Sequence, residues 1–592
     1  MMHIGLRGRL AVSATLAVLA AGVVVVFPGA ASARELPGGW QDAERFGDTN
    51  GVGRGFVLDH ESPVGRRDGV CSGTLIGDGL YLTAGQCISG NEVNNHVRFG
   101  AQLDWYEAVR PQDNYNVAQV LENHPERETL GFNDHGLLRL VGNPENEYGF
   151  ATMDAAEPDV AKPLVVIGHP NLPNADGSGE TSWKTAAVPN IACLAGGEEG
   201  AAEELTFSGI SLYRGLAGAG VWNPATGRLA GVTRAFGTRC GGSGYANTIL
   251  RHQRVSDFLD TDHGSARMYS YTGAGLTTWN WTRKDVRSSW HHIVPGNYRG
   301  LATQELFFYD SRSGEGQFGT VTARGITPLG PVHTGLSRPS YPWGQIVPVQ
   351  LDTTPQQELM FLNTRLGLYR FYRTNGSGTL EPLPVGPPTG PSGSPNNYVR
   401  GTDGTPPRLA VTGNFASRAG QEIAFHFPLE GRVEIWGVDS SGWLIRLSTV
   451  ASNVPAASVM LAGEFSTASA LQEVLLYHPK TEQISAVYFR PDRTTGIVGP
   501  VRLPGGMATQ LSTGTFNNGT ANLMAYQPSA SNVYSNVAEN TGTVNYFRLG
   551  NNLALRSVLA EGGHRRSISK FIIGDFITDN QSNAIMYDRY RE

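Results

Sequence analysis

Apolar residues in this chain occur mostly in short runs that glycine, proline and polar residues interrupt. Short apolar runs between turn residues are typical of β-strands. The exception is one long run, Leu10 to Phe27, in which only Ser13 and Thr15 are polar. No later segment is long enough to span a membrane without including charges. The pattern therefore predicts an all-β chain that follows a single N-terminal apolar segment.

The long apolar run has the features of a signal peptide. Two arginines precede it, and the helix-breaking pair Pro28 and Gly29 ends it. The sequence Ala31-Ser32-Ala33 then matches an A-x-A cleavage site. We expect residues 1–33 to be removed and the mature chain to be secreted, extracellular and without a membrane span. An uncleaved membrane anchor is the alternative interpretation of the same run.

A motif recurs along the second half of the chain. An apolar run leads to a glycine, any residue and an aromatic residue, and an acidic or amide residue follows eight to ten positions after the glycine. The motif positions are Gly296, Val349 in a divergent copy, Gly413, Gly463, Gly514 and Gly574, and the later residues are Glu305, Glu358, Glu422, Glu473, Asn522 and Asn583. Successive copies lie 50 to 64 residues apart. A period near 50 with several strands per unit predicts the blades of a β-propeller.

The two ends of the repeat array predict how it closes. The chain ends just after Tyr587 and Asp588, partway through a unit. The segment from Met268 to Trp281 resembles the missing remainder of one unit. If these two pieces share a blade, the propeller has six blades. If the first piece forms its own blade, it has seven.

The first half of the mature chain contains a predicted β-hairpin. Two apolar, β-branched runs, Cys71–Ile76 and Tyr81–Cys87, flank the turn Gly77-Asp78-Gly79. The polar stretch Asp260–Gly264 is the candidate domain boundary. It divides the mature chain into a domain of residues 34–262, which holds all four cysteines, and a propeller of residues 263–592.

Five segments of the first half resemble the chymotrypsin/trypsin-like serine proteases. They are Cys71–Ile76, Leu82–Cys87, Asn133–Leu140, Gly215–Val221 and Leu229–Val232 with Thr238–Gly241, and their order and spacing match the family. The resemblance implies a double β-barrel over residues 34–262. It also implies a disulfide between Cys71 and Cys87, and it leaves Cys193 to pair with Cys240.

The catalytic residues of that family are replaced in this sequence. The family uses a serine nucleophile, a histidine base and an aspartate that orients the histidine. Gln86 stands at the histidine position, and a carboxamide cannot act as a general base. Ala217 stands at the serine position and has no nucleophilic atom. Only Asp134 matches the triad, so the resemblance implies a pseudoprotease without peptidase activity.

The turn around the lost nucleophile keeps part of its sequence. Gly215 and Gly218 are present, but Leu216 replaces the aspartate that pairs with a freed N-terminus in the family. The backbone N–H groups of Gly215 and Ala217 are candidates to bind an oxyanion. We expect peptide binding in the old cleft to be compatible with the loss of cleavage.

The repeats of the second half resemble FG-GAP/VCBS-type propeller repeats. Many repeats of that type carry calcium loops of the form D-x-D-x-D-G. The matching stretches here, such as 299–302 and 416–419, lack the spacing of oxygen ligands that calcium needs. No H-E-x-x-H or C-x-x-C motif is present. We therefore expect neither a metal site nor a cofactor.

Composition narrows the possible partners. The chain has 75 Gly and 34 Pro among its 592 residues, which agrees with many turns, and its net charge is −6. This balance argues against a broad nucleic-acid-binding surface. The favoured function is a secreted, inactive protease homologue whose propeller binds a protein, peptide or glycan. The alternatives are an active secreted endopeptidase with a non-standard site and a propeller lectin or adhesin.

Overall fold

The computed structural model describes the chain between residues 40 and 588, with gaps of one to fifteen residues. The gaps of five residues or more are 43–51, 56–70, 89–95, 100–113, 125–134, 154–158, 174–179, 197–201, 237–243, 249–263, 337–342, 384–397, 466–470 and 529–540. The predicted signal peptide 1–33, Asp134 and Cys240 therefore lie outside the described residues. Only the backbone is described for some strand residues, among them Cys193, Trp279 and Trp281.

The first half contains sixteen described strands. They are β1 (Trp40–Asp42), β2 (Val52–Gly55), β3 (Cys71–Gly77), β4 (Leu80–Thr83), β5 (His96–Arg98), β6 (Asn114–His124), β7 (His135–Leu140), β8 (Val165–Gly168), β9 (Leu172–Pro173), β10 (Glu180–Thr181), β11 (Thr185–Ala187), β12 (Asn190–Gly196), β13 (Ala202–Ser208), β14 (Gly220–Asn223), β15 (Arg228–Phe236) and β16 (Gly244–Thr248). A one-turn helix, α1 (Glu145–Tyr148), and a 3₁₀ turn, Gly85–Cys87, are the helical elements described in this half.

These strands form one closed barrel, one large sheet and one small hairpin. The barrel has the order β2-β3-β4-β7-β6-β5, and the eight-stranded sheet has the order β1-β11-β8-β14-β15-β16-β13-β12. Strands β9 and β10 pair with each other. The predicted hairpin is β3–β4, in which Leu75 pairs with Tyr81 and Gly79 has a φ of +66°. The closure of the second sheet into a barrel stays a prediction.

The second half contains twenty-four described strands. They are β17 (Gly264–Thr272), β18 (Gly275–Val286), β19 (His292–Gly296), β20 (Glu305–Asp310), β21 (Glu315–Thr322), β22 (Gly325–His333), β23 (Gln345–Val349), β24 (Glu358–Asn363), β25 (Leu368–Thr374), β26 (Leu380–Pro382), β27 (Leu409–Gly413), β28 (Glu422–Phe427), β29 (Arg432–Val438), β30 (Leu444–Ser452), β31 (Val459–Gly463), β32 (Glu473–His478), β33 (Gln483–Phe489), β34 (Thr495–Arg502), β35 (Gln510–Phe516), β36 (Ala521–Pro528), β37 (Thr541–Leu549), β38 (Leu555–Arg565), β39 (Lys570–Gly574) and β40 (Asn583–Asp588). A 3₁₀ turn covers Asn551–Leu553. The described residues confirm the all-β prediction.

The twenty-four strands form six antiparallel sheets of four strands each. Five sheets are built from consecutive strands: S1 (β19–β22), S2 (β23–β26), S3 (β27–β30), S4 (β31–β34) and S5 (β35–β38). The sixth, S6, has the order β18-β17-β40-β39 and so joins the beginning of this half to its end. In S6, Met268 pairs with Ile585 and Ala266 pairs with Tyr587.

Six hydrophobic clusters lie between neighbouring sheets. The first strands of S1 to S5 contact each other in order, and β39 contacts both β35 and β19, so these six strands follow one another in a cycle. Met268 of S6 packs with Phe308 of S1, and Phe571 of S6 packs with Tyr526 of S5. The other four clusters join S1 to S2, S2 to S3, S3 to S4 and S4 to S5. Each sheet therefore buries its apolar faces against two neighbours.

The repeated glycine is required by the aromatic residue two positions later. In five of the sheets the aromatic ring folds back over the glycine, so a Cβ on Gly413 or Gly463 would lie 2.6 or 2.7 Å from the ring of Phe415 or Phe465. The divergent copy has Leu351 in place of the aromatic residue, and it carries Val349 in place of the glycine. The pair therefore varies together, because a smaller second side chain leaves room for the first.

In five of the six sheets the acidic or amide residue of the repeat caps the turn at the glycine position, whereas Asn522 of S5 bonds to Leu549. Glu422 is buried, and its Oε2 accepts hydrogen bonds from the backbone N–H groups of Phe415 and Ala416, at 2.8 and 3.2 Å. Glu305 and Glu473 accept equivalent bonds in S1 and S4, and Asn583 does so through its amide oxygen in S6. These side chains satisfy turn N–H groups that would otherwise be buried without partners.

Candidate functional site

The site predicted from the sequence begins with the turn Gly215–Ala219. Gly215 and Gly218 have φ angles of +92° and +85°, a region that favours glycine. The backbone N–H of Ala219 donates to the Leu216 carbonyl over 2.9 Å, and that of Gly218 donates to the Thr233 carbonyl over 2.8 Å. A Cβ on Gly218 would lie 2.1 Å from the Ser72 carbonyl oxygen. The turn is therefore tight and closely packed.

Ser72 attaches this turn to strand β3. Its backbone N–H donates to the Ala217 carbonyl over 2.9 Å, and its Oγ donates to the Gly215 carbonyl over 2.7 Å. The same Oγ accepts a hydrogen bond from the backbone N–H of His169 over 2.8 Å. Ser72 is fully buried, so these bonds are shielded from water. The hydroxyl thus joins three segments that are distant in the sequence.

Thr233 holds the other side of the turn. Its Oγ1 donates a hydrogen bond toward the carbonyls of Leu216 and Ala219, and its backbone N–H also donates to Ala219, over 2.8 Å. Leu216 is buried in an apolar cluster with Ile210 and Val221. Leu216, which directly precedes Ala217 at the predicted nucleophile position, is therefore part of the hydrophobic core. It carries no charge that could pair with a freed N-terminus.

Gln86 and Ala217 lie on segments that contact each other. Cys71 and Cys87 form a disulfide, as the resemblance implies, and the half-buried side chain of Ala217 packs against it. Cys87 Sγ lies 3.8 Å from the Ala217 carbonyl oxygen. Gln86, directly before Cys87, is exposed, and its Nε2 donates to the Arg234 carbonyl over 2.5 Å. Arg234 follows Thr233, so the Gln86 amide reaches the strand that holds the turn.

Neither of these two side chains can perform the chemistry of a serine protease. Ala217 offers only a methyl group, and the Gln86 amide is neutral and donates to a carbonyl. Among the described residues, nothing accepts a hydrogen bond from the backbone N–H groups of Gly215 and Ala217. These two N–H groups are the part of the predicted site that keeps a chemical capacity, namely to bind a carbonyl or carboxylate oxygen.

Several predicted positions fall outside this description. Asp134 is not among the described residues, although His135, which follows it, is buried at the start of β7. Cys193 lies on β12, but its side chain and Cys240 are not described, so their pairing stays a prediction. Sequence reasoning did not identify Ser72, Thr233 or Arg234. Ser72 stands inside the C-S-G motif, and this was the one available indication of its role.

Two further features concern metals and membranes. In the described parts of the chain, no group of three His, Cys, Asp or Glu side chains could hold a metal ion. In S1 the turn carboxylate Glu305 is paired with Arg299, at 2.9 Å, in one of the loops compared with calcium loops. Within the same described parts, no helix is both long enough and apolar enough to cross a membrane.

Comparison with known proteins identifies the first half. The family model described as Trypsin matches residues 59–259. This segment is similar in sequence to trypsin-like serine protease domains. No curated protein matches the chain.

Several solved structures resemble the trypsin-like domain over 35% of this chain. One is a Glu endopeptidase in complex with MPD, with 12% identity, 89% of that chain covered and a TM-score of 0.27. Two are inactivated protease paralogues of the scabies mite. S-D1 has 12% identity, 91% coverage and a TM-score of 0.28, and S-I1 has 17% identity, 93% coverage and a TM-score of 0.28.

Proposed function

We propose that this chain is a secreted, catalytically inactive trypsin-like serine protease homologue that acts by binding. The observation that carries the proposal is the pair Gln86 and Ala217, which lie on contacting segments beside the Cys71–Cys87 disulfide. Removing a single member of a serine protease triad lowers turnover by roughly 10⁴- to 10⁶-fold. With both base and nucleophile replaced, hydrolysis through this site is not expected.

The cleft is proposed to bind a peptide segment without cutting it. The turn Gly215–Ala219 keeps its positive-φ glycines, and the N–H groups of Gly215 and Ala217 have no acceptor among the described residues. A peptide carbonyl is the acceptor that this class of turn suits. Gln86 is exposed, so its side chain is accessible to a ligand.

The second half is proposed to be a six-bladed β-propeller that provides a second surface for a protein or glycan. The cycle of first strands and the six clusters between sheets support this architecture. In a propeller, the last strands of the chain commonly complete the first blade, and S6 has that composition. Secretion is proposed from the apolar run and cleavage site before residue 34.

A labelling experiment tests the inactivity. The full-length secreted protein is incubated with a fluorophosphonate probe, with an active trypsin-like enzyme as the positive control. We expect no labelling of this protein, because Ala217 has no oxygen to react. Specific labelling of the wild-type chain would overturn the proposal. In parallel, immobilised protein is screened against a peptide library and a glycan array, and a failure of both would remove the binding role.

A further inference from the structure

The first strands of the six sheets run in the same direction around the cycle. At their starts, the Gln345 side chain exchanges two hydrogen bonds with the Ala410 backbone, at 2.8 and 2.9 Å. Where β19 ends, the backbone N–H of Asn297 donates to Oε1 of Gln357 over 2.8 Å. Gln357 directly precedes Glu358, which pairs with Val349 at the end of β23. The start of each of these first strands therefore lies beside the start of its neighbour, and the end lies beside the neighbour's end. It follows that the segments directly before the first strands lie at one mouth of the ring, which we call the start mouth.

The trypsin-like domain contacts the start mouth at four places. Phe150 stacks on His291, with ring centroids 4.8 Å apart and planes 26° apart. Tyr115 binds Arg408, Gly142 lies against Ser458, and Ala118 and Val141 pack with Met507. The four ring residues precede β19, β27, β31 and β35, which are the first strands of S1, S3, S4 and S5. The contacts thus come from four different sheets and from a single mouth.

The contact between Arg408 and Tyr115 reaches into the barrel core. The guanidinium lies 5.2 Å from the centre of the Tyr115 ring and donates a hydrogen bond to its hydroxyl. Tyr115 is buried, and its ring packs edge-on against Phe99 and Tyr148 at 5.7 and 6.1 Å. A cation over a partly desolvated aromatic ring contributes more than the same pair in water. Arg408 therefore contacts a buried aromatic cluster of the trypsin-like domain.

We propose that the start mouth is a docking surface whose permanent occupant is the trypsin-like domain of the same chain. The ring is then capped at that mouth, and a ring-binding partner must approach the opposite mouth or the outer surface. Gln86 stays exposed in this arrangement, so docking does not cover its side chain. This inference rests on the ring architecture proposed above, but it does not depend on the proposed absence of catalysis.

The chemistry of the two contacting sides matches. The ring offers an arginine, a histidine ring and the apolar side chain of Met507, and the domain offers two aromatic rings and the small apolar residues Ala118 and Val141. Met507, Ala118 and Val141 are each buried, with relative exposures of 7%, 2% and 1%. The apolar surface of these three residues is covered while the trypsin-like domain contacts the start mouth. Separation would return it to water at a cost proportional to its area.

A cut between the two halves tests the docking. A recognition sequence for a specific protease is inserted between Asp260 and Thr261 of the full chain, and the purified, folded protein is cut there. Size-exclusion chromatography then asks whether the two fragments elute together. We expect co-elution for the wild-type sequence at micromolar concentration. Elution as two separate, folded fragments would overturn the proposal.

A matched pair of variants tests whether Arg408 contributes to the association of the two halves. Arg408→Met keeps an apolar stem but removes the guanidinium, and we expect it to weaken the association of the cut halves by about tenfold or more. Arg400→Met is the control, because Arg400 lies in the same loop, over Tyr398 at 5.4 Å, and contacts no residue of the trypsin-like domain among the described interactions. Equal effects of the two variants would contradict the assignment of Arg408.

Hydrogen exchange distinguishes a failure of the proposed docking from a failure of the proposed ring architecture. Hydrogen exchange of the uncut Arg408→Met protein is expected to rise in β6 and β7 while the strands of S1 to S6 keep their protection. Phe150→Ala gives an independent disruption of the same interface if Arg408→Met does not fold. General loss of protection in S6 and S1 of the wild type would instead contradict the proposed ring. Neither measurement involves the fluorophosphonate probe.

Discussion

Gln304 and Asp575 are joined by two hydrogen bonds although 271 residues separate them in the chain. The backbone N–H of Gln304 donates to the Asp575 carbonyl over 2.9 Å, and that of Asp575 donates to Oε1 of Gln304 over 3.1 Å. The same pairing recurs between Gln357 and Asn297 and between Gln472 and Asn414. The residue before each acidic cap therefore clamps the turn of the preceding sheet. Gln304 performs this role where S6 meets S1.

The first prediction concerns this closing clamp. Gln304→Ala removes the acceptor of the Asp575 N–H, and we expect the free energy of unfolding to fall by about 1 kcal/mol. Because S6 holds the last strands of the chain, hydrogen exchange should rise in β39 and β40. Gln472→Ala is the control, since it removes the equivalent clamp between S3 and S4. It should cost a similar free energy and leave β39 and β40 protected, and increased exchange there in both variants would contradict the local role.

The second prediction tests why the repeat needs its glycine. A methyl group on Gly463 would lie 2.7 Å from the Phe465 ring, so Gly463→Ala should lower the free energy of unfolding by roughly 1–3 kcal/mol. The double variant Gly463→Val with Phe465→Leu copies the natural pair Val349 and Leu351. We expect it to recover most of the loss in urea denaturation.

The control for this pair is Gly562→Ala on β38. No atom lies within 4 Å of a Cβ built at Gly562, so the change should stay within about 0.5 kcal/mol of the wild type. A double variant at 463 and 465 that is less stable than Gly463→Ala alone would show that the two positions do not compensate each other.

The repeat and the hairpin were predictable because their determinants are local. Gly77 and Gly79 stand between two apolar runs, and each repeat glycine stands two positions from its aromatic residue. The contacts that position the candidate site are not local. Ser72 bonds to Gly215 across 143 residues, and Arg408 bonds to Tyr115 across 293. A serine or an arginine leaves no periodic pattern that would indicate its partner, so these roles required the structure.

The third prediction concerns pH. His426 on β28 is fully buried, and burial lowers its pKa from 6.5 to about 4, with a further lowering from the Arg408 charge and an opposing hydrogen bond with the backbone of Pro455. The unfolded chain therefore binds more protons than the folded chain between pH 6.5 and pH 4. Stability should fall as the pH decreases through this window, by at most about 3 kcal/mol from this residue.

The variant that checks this dependence is His426→Gln, which cannot gain a proton in the unfolded state. Urea denaturation at pH 7, 5.5 and 4.5 should show a shallower loss of stability for the variant than for the wild type. Identical pH profiles for the two proteins would mean that His426 does not bind a proton on unfolding in this range.

The fourth prediction concerns the turn of the candidate site. Gly218 and Gly227 both have positive φ angles, +85° and +67°, but a Cβ on Gly218 would strike the Ser72 carbonyl while a Cβ on Gly227 would meet nothing within 4 Å. Gly227→Ala should therefore cost about 1 kcal/mol from the backbone alone. Gly218→Ala should cost roughly 3 kcal/mol or more and abolish any peptide binding in the cleft. Equal losses of stability would show that Gly218 is not packed against Ser72.

The last prediction concerns the attempt to restore catalysis. The double variant Gln86→His with Ala217→Ser returns a base and a nucleophile to the two contacting segments. We expect at most weak hydrolysis of peptide substrates, because Leu216 is buried in an apolar cluster and the carboxylate that the family places there is missing. Adding Leu216→Asp should not repair this, since it introduces an unpaired carboxylate among Ile210, Ala219 and Val221 and destabilises the domain. Robust peptide cleavage by the double variant, measured with a fluorogenic substrate library, would show that the turn needs no charge at position 216 to act.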